Sequence, residues 1–165
     1  MEAGTIYHGI PPVYNQQSRV LLLGTIPSPK SRQAGFFYGH PQNRMWPVLA
    51  RIFEEPVPLG TEARRDFLLS HRIAMWDVLS ACTIRGADDS SIRDPVPNDL
   101  RPILAEAPIA AIFTTGKKAF SLYTRYIRPA IGRDALCLPS TSPANCRYET
   151  METLTAAYRA LLQYL

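Results

Sequence analysis

The chain has 165 residues, 46% of them hydrophobic and 19% charged, with a net charge of +4 and a sequence pI near 9.1. That length suits one domain with a real core, expected to span residues 1–165, and is short for two. The mild positive charge admits a polyanionic partner without demanding one, and no apolar run approaches the ~20 residues that cross a bilayer. No basic segment followed by an apolar run opens the chain, so a cytoplasmic location is the expectation. Cys82, Cys137 and Cys146 are odd in number and lack CxxC spacing. They point to free thiols in a reducing compartment and exclude an iron–sulfur cluster held by four thiolates.

Residues 1–19 read as an irregular lead-in, with Tyr7, Pro11, Pro12 and Tyr14 packing on the domain. Arg19–Gly24 is a strand with a wholly apolar centre, and such continuous hydrophobicity signals burial on both faces, as in a parallel sheet. A long loop of prolines, glycines, amides and aromatics runs from Gly24 to Trp46. Trp46, Leu49, Ala50 and Phe53 then recur at helical spacing, giving a helix over about Pro47–Phe53, with Pro47 tolerated in its first turn. Thr61 reads as the N-cap of a helix over Glu62–Ser70. Ile73–Leu79 is a second strand, interrupted near its end by Asp77, which reads as a structural carboxylate bonding loop amides. Thr83–Asn98 is polar and loop-like, and Asn98 can cap a short helix through Leu100, Ile103 and Leu104.

Ile109–Thr114 is a third strand, running into Thr115-Gly116-Lys117-Lys118 and a helix lined by Phe120, Tyr123 and Ile127. Ala135–Leu138 is the fourth strand, followed by a Ser/Pro loop, Pro139 to Asn145. The last helix places Met151, Leu154, Tyr158, Leu161, Leu162 and Leu165 on one stripe. Strands alternating with helices predict right-handed crossovers and a three-layer α/β/α fold around a four-stranded parallel sheet. The loops that leave the four strands then share one edge, where open α/β sheets hold ligands.

Three of these loops have residues suited to a planar heterocycle beside phosphate. The first combines Phe36, Phe37 and Tyr38 with the amides Gln33, Gln42 and Asn43 and the cations Lys30, Arg32 and Arg44. Gly116-Lys117-Lys118 opens a helix, where backbone N–H groups and charge can meet a phosphate; it is not a Walker loop, because GxxxxGK[ST] is absent. Ser140-Thr141-Ser142-Pro143 offers hydroxyls in a rigid turn, equally able to serve only its own backbone. His8, His40 and His71 show no metal-ligand spacing, and His40 is the one placed near the aromatics and Asn43. Neither a GxSxG elbow nor the HxE and PCxxC pattern of zinc deaminases is present.

Taken in order, GTIPSPKS, FFYGHPQNRMW and PSTSPAN resemble the uracil-DNA glycosylase superfamily, with Ala74–Leu79 and the Gly116-Lys117 turn in matching places. The first stretch is similar to the family's first active-site motif and the last to its DNA-intercalation motif. Among its branches the chain resembles the mismatch-specific uracil glycosylases and, more so, the hypoxanthine-DNA (deoxyinosine) glycosylases. Many members place Asp or Asn two residues after the first motif's glycine to handle the attacking water; Ile26 stands there and can do neither. Ser140 replaces the usual His or Asn that opens the late motif, and Ala144 stands where a Leu commonly fills the gap left by the flipped base.

The resemblance implies a monofunctional glycosylase of base excision repair that flips a deaminated base, hypoxanthine first, out of double-stranded DNA and hydrolyses its N-glycosidic bond. It implies Asn43 as the catalytic residue, taken from the HPxN segment. The base pocket would comprise Gly24, Thr25, Ile26, Phe36, Tyr38, His40 and Ser140. Tyr38 would stack on the base, with Phe36 or Phe37 as a wall. Ser28, Lys30, Ser31, Lys117, Ser142, Pro143, Ala144 and Asn145 would meet DNA. A monomer with no metal and no cofactor is expected, and no desolvated lysine suggests a strand-cleaving lyase. Two further readings fit the same residues: a G:U or G:T mismatch uracil/thymine glycosylase, and a DNA- or nucleotide-binding module without catalysis, which Ile26 favours.

Overall fold

The structure, a computed structural model, describes residues 2–165. Four strands form the expected parallel sheet: β2 (Val20–Gly24), β3 (Ile73–Asp77), β6 (Ala111–Thr115) and β7 (Leu136–Leu138), in the spatial order β3-β2-β6-β7. Side chains alternate across a strand, so Val20 and Leu22 point to one core and Leu21 and Leu23 to another. All four are fully buried, a gross burial worth roughly 6–12 kcal/mol before ordering entropy is deducted.

On one face, Val20, Leu22, Met75 and Phe113 pack with α2 (Met45–Phe53), α3 (Thr61–Ser70) and α7 (Met151–Tyr158). On the other, Leu21, Leu23, Ala74 and Ile112 meet α4 (Arg101–Glu106), α5 (Lys117–Leu122) and the wide turn Tyr123–Ile127 that follows it. A short helix, α6 (Arg128–Ile131), leads to β7. The fold is therefore the three-layer α/β/α arrangement that the alternation of elements predicts.

Several elements differ from expectation. The lead-in is not irregular: β1 (Gly4–Tyr7) pairs antiparallel with β4 (Leu79–Arg85), and Val13 forms an antiparallel bridge to Met75 that covers the outer edge of β3. Tyr7 is 73% exposed rather than packed. Thr83–Asn98, expected as a polar loop, holds the end of β4 and all of β5 (Asp88–Pro97), which form a hairpin and complete a second sheet in the order β1-β4-β5. Pro95 and Pro97 fit there because β5 is an edge strand.

Asn98 does not cap a helix. Its Nδ2 donates to the carbonyls of Asp77 (2.9 Å) and Leu79 (3.1 Å) and so ties β3 to β4. Gly60, not Thr61, precedes α3, without a side-chain cap. The loop after β2 contains a helix, α1 (Pro29–Ala34), started by Ser28 accepting from the Ser31 N–H, with Pro29 in its first turn. The last helix tightens into a 3₁₀ segment, Arg159–Tyr164, which turns Leu162 out to solvent at 42% exposure while Leu161 stays buried.

Candidate active site

The sheet order reverses direction between β2 and β6, and ligands of open α/β sheets sit outside the strand ends at such a point. A cavity of about 300 Å³ opens there. Its floor is Gly24 at the end of β2, Asp77 at the end of β3 and Thr115 at the end of β6. Its walls come from the aromatic loop, the tip of the β4–β5 hairpin and the Ser/Pro loop after β7. Of the residues expected at a base pocket or catalytic position, Gly24, Thr25, Ile26, Tyr38, His40, Asn43 and Ser140 line it. Phe36 does not: it is 2% exposed and stacks on Trp46, with ring centroids 6.1 Å apart. Phe37, its alternative as a wall, does line the cavity.

The aromatic loop is held by Ser31, which is buried and tied to its surroundings through its hydroxyl. Ser31 Oγ accepts from the Gly39 N–H at 3.0 Å and from the Ser28 hydroxyl at 3.1 Å. Ser31 thus lines the cavity as a brace of the loop. Tyr38 sits in the left-handed region at φ 51°, a conformation that costs a non-glycine residue about 1–2 kcal/mol. Its hydroxyl lies 3.2 Å from Thr115 Oγ1, fixing the ring across the floor. Burial, and then the nearby Asp77 carboxylate, raise the Tyr38 phenol far above its ordinary pKa, so it stays neutral.

Asn43 is clamped through its oxygen. Oδ1 accepts from the Met45 N–H at 2.9 Å and from the Thr141 hydroxyl at 2.9 Å. The backbone donor identifies that atom as the oxygen. Nδ2 has no hydrogen-bond partner among the described residues, on a residue that lines the cavity. Arg44, next along, donates from its backbone to the Thr141 carbonyl (3.2 Å) and from its guanidinium to the Glu149 carbonyl. The first contact locks the Asn43 loop to the Ser/Pro loop, and the second ties it to the segment just before α7.

In that loop the Ser140 hydroxyl accepts from the Ser142 N–H, and the Ser142 hydroxyl accepts from the Ala144 N–H. Asn145 turns inward, donating to the Ser140 carbonyl at 2.9 Å, and does not line the cavity. Ser28, Ser142, Pro143 and Ala144 do line it, and Ala144 is exposed. Lys30, on α1, and Lys117, at the start of α5, are exposed and lie outside the cavity lining.

The cavity also takes in Thr141, one of the hydroxyls expected in the Ser/Pro turn, and, beyond the expected residues, Thr115 and the hairpin residues Ile84, Gly86, Ala87 and Asp89. Asp77, expected as a structural carboxylate bonding amides, instead lines the cavity, with Oδ2 2.7 Å from His8 Nε2. The readable signal was an acid ending a buried strand at the same sheet edge as Gly24. Burial raises the Asp77 pKa against the pull of His8. Burial also raises that of Asp89, with the Thr25 hydroxyl and Lys118 opposing.

Comparison with known proteins agrees with this geometry. A family profile described as the Uracil DNA glycosylase superfamily matches residues 11–165. The chain is 32% identical over 145 residues to a protein named hypoxanthine DNA glycosylase from Methanosarcina acetivorans, covering 87% of this chain and 90% of that one. It is 32% identical over 141 residues to one of the same name from Methanosarcina barkeri, covering 84% and 88%. A candidate uracil DNA glycosylase from Methanosarcina acetivorans, solved by solution NMR, superposes with a TM-score of 0.79 at 29% identity, covering 94% of this chain and 98% of that one. The chain belongs to the uracil DNA glycosylase superfamily.

Proposed function

We propose that the protein is a monofunctional DNA glycosylase that draws a deaminated base, hypoxanthine foremost, out of double-stranded DNA and hydrolyses its N-glycosidic bond. The observation that carries this is the state of Asn43, which lines the cavity: its amide oxygen holds two donors, and its amide nitrogen has no partner among the described residues. The names of the two Methanosarcina relatives support hypoxanthine as the base.

A base inside a duplex cannot reach such a cavity, so it must be extruded, at a cost of a few kcal/mol that is lower for a mispaired base. Tyr38 offers aromatic surface for it, backed by the buried ring of Phe37. As the bond between C1′ and the base nitrogen breaks, its electron pair goes to the base and the sugar becomes cationic. Asn43 Nδ2–H meets the negative charge growing on the base. A fixed donor in a cavity shielded from water favours that charge more than water does. Water then adds its oxygen to C1′ and releases a proton to solvent, and the base takes one up. Asn43 cannot itself accept the water's proton, because both lone-pair directions of Oδ1 are in use, and Ile26 has no polar atom to offer. Its contribution is to the leaving group.

Ser28, Ser142 and the Ser/Pro loop, which line the cavity, and the exposed Lys30 and Lys117 are our candidates for contacts with the flanking phosphates. Ala144 is the residue placed to enter the gap in the duplex.

The test is single-turnover base release from duplexes with inosine, uracil, xanthine, and thymine opposite guanine. Hypoxanthine is expected to leave fastest. Tight DNA binding with no abasic product from any duplex would overturn the reading in favour of a binding module. Asn43→Asp keeps the oxygen that accepts from Met45 and Thr141 but removes the donor. It should lower the inosine rate by about 100-fold, the usual cost of losing one such donor, and an unchanged rate would remove Asn43 from the chemistry.

A further inference from the structure

The two donors on the Asn43 oxygen come from different places. The Met45 N–H lies on the same segment as Asn43, two residues on, and ties the amide to its own backbone. The Thr141 hydroxyl donates at 2.9 Å from a loop 98 residues away. Thr141 is 1% exposed, whereas Ala144, three residues further along the same loop, is exposed. The Thr141 carbonyl accepts from the Arg44 N–H at 3.2 Å. One residue of the Ser/Pro loop therefore grips the Asn43 side chain and the backbone of its neighbour. Of the two bonds on Oδ1, only the one from Thr141 refers the amide to the Ser/Pro loop.

The turn around Thr141 is stiff. Ser140 Oγ accepts from the Ser142 N–H at 3.1 Å, Ser142 Oγ accepts from the Ala144 N–H at 3.3 Å, and Asn145 Nδ2 donates to the Ser140 carbonyl at 2.9 Å. Pro143 fixes one more backbone angle. Residues 140–145 therefore shift together, and Thr141 shifts with them. We infer that Thr141 is a positioning residue that makes the reactive pose of Asn43 depend on how the Ser/Pro loop is seated. This rests on Asn43 meeting the leaving base and on the Ser/Pro loop meeting DNA.

The hydroxyl acts on the amide in two ways. With both lone pairs of Oδ1 engaged, the amide cannot swing about its Cβ–Cγ bond, so the direction of Nδ2–H is fixed. Donors on the oxygen also draw charge from the amide nitrogen, since linked hydrogen bonds polarise one another, and Nδ2–H becomes a better donor to the charge growing on the base. A loop displaced from its seat takes the hydroxyl away, and the amide keeps only its bond to Met45. Thr141→Val removes this link while keeping the shape of the side chain. The bond from the Arg44 N–H is to the main chain and stays, so the loop remains attached to the segment that carries Asn43.

Single-turnover release from inosine duplexes at saturating protein tests this, with duplex affinity titrated separately. Thr141→Val should lower the maximal rate by about 3- to 10-fold, the worth of one neutral hydrogen bond, with duplex affinity little changed. Thr141→Ser, which restores the hydroxyl, should recover most of that rate. In an Asn43→Ala background Thr141→Val should cost nothing further, because the amide it acts through is gone. Pro143→Gly loosens the turn and should lower the maximal rate. It should do so by much less in Thr141→Val, where the link to the amide is already cut. An unchanged rate in Thr141→Val, no recovery in Thr141→Ser, or losses that multiply independently in either pair would overturn this role for Thr141 alone. No hypoxanthine release by the unaltered protein would overturn the function and the inference with it.

Discussion

Gly24 has no room for a side chain. A methyl group on it would lie 2.5 Å from Asp77 Oδ1, where side-chain oxygen and backbone already meet. Gly24→Ala should destabilise the fold by about 1–3 kcal/mol, the usual cost of overpacking, read as a lower urea midpoint. Base release should fall as well, because the shift is forced on Asp77 and Tyr38 together. Tyr38 separates two roles that share a side chain. Tyr38→Phe keeps the ring and loses the contact with Thr115; Tyr38→Ala loses both. If stacking is what Tyr38 contributes, the alanine variant should lose roughly 1–3 kcal/mol in single-turnover release and the phenylalanine variant much less. Equal losses would assign its role to the hydroxyl.

Among the elements, the β4–β5 hairpin was the hardest to read. Its β5 residues are mostly exposed, so no apolar alternation marks the strand, and Pro95 and Pro97 argue for a loop unless the strand is known to be an edge. Its register shifts twist the ribbon on its way to the tip, where Gly86, Ala87 and Asp89 wall the cavity. Asn98 anchors its base through two bonds to the ends of β3 and β4. Asn98→Ala leaves two buried carbonyls short of a donor, and should cost about 1–3 kcal/mol. That is checked by urea unfolding with an unchanged m-value. Helix α1 carries a local signal, Ser28 before Pro29 as cap and first turn, but its six residues in a Pro- and Gly-rich loop are too few to show an apolar period.

For the whole molecule, the charge of +4 is modest, so DNA binding should rest on a few phosphate contacts and weaken steadily with salt. Lys30→Gln and Lys117→Gln should each weaken binding without altering base preference and reduce the slope of log K against log salt by about 1. Titrations of a duplex at several salt concentrations measure this. An unchanged slope in both variants would move the phosphate track elsewhere on the surface.

The four strands of the main sheet, their parallel direction and the gathering of three loops at one sheet edge follow from local pattern. Continuous apolar runs and strand–helix alternation are properties of neighbouring residues, and chirality does the rest. Asn43 was legible for a related reason, since it lies in a short motif whose spacing survives without the fold. The floor of the cavity was not. Whether Phe36 or Phe37 faced it depended on how the loop closed on Ser31 and Trp46. The pairing of His8 with Asp77 joins residues 69 apart through the docking of an N-terminal segment on β3 and β4. A carboxylate at a strand end reads alike whether it braces amides or faces a ligand, and only the position of its partner tells which lone pairs are free.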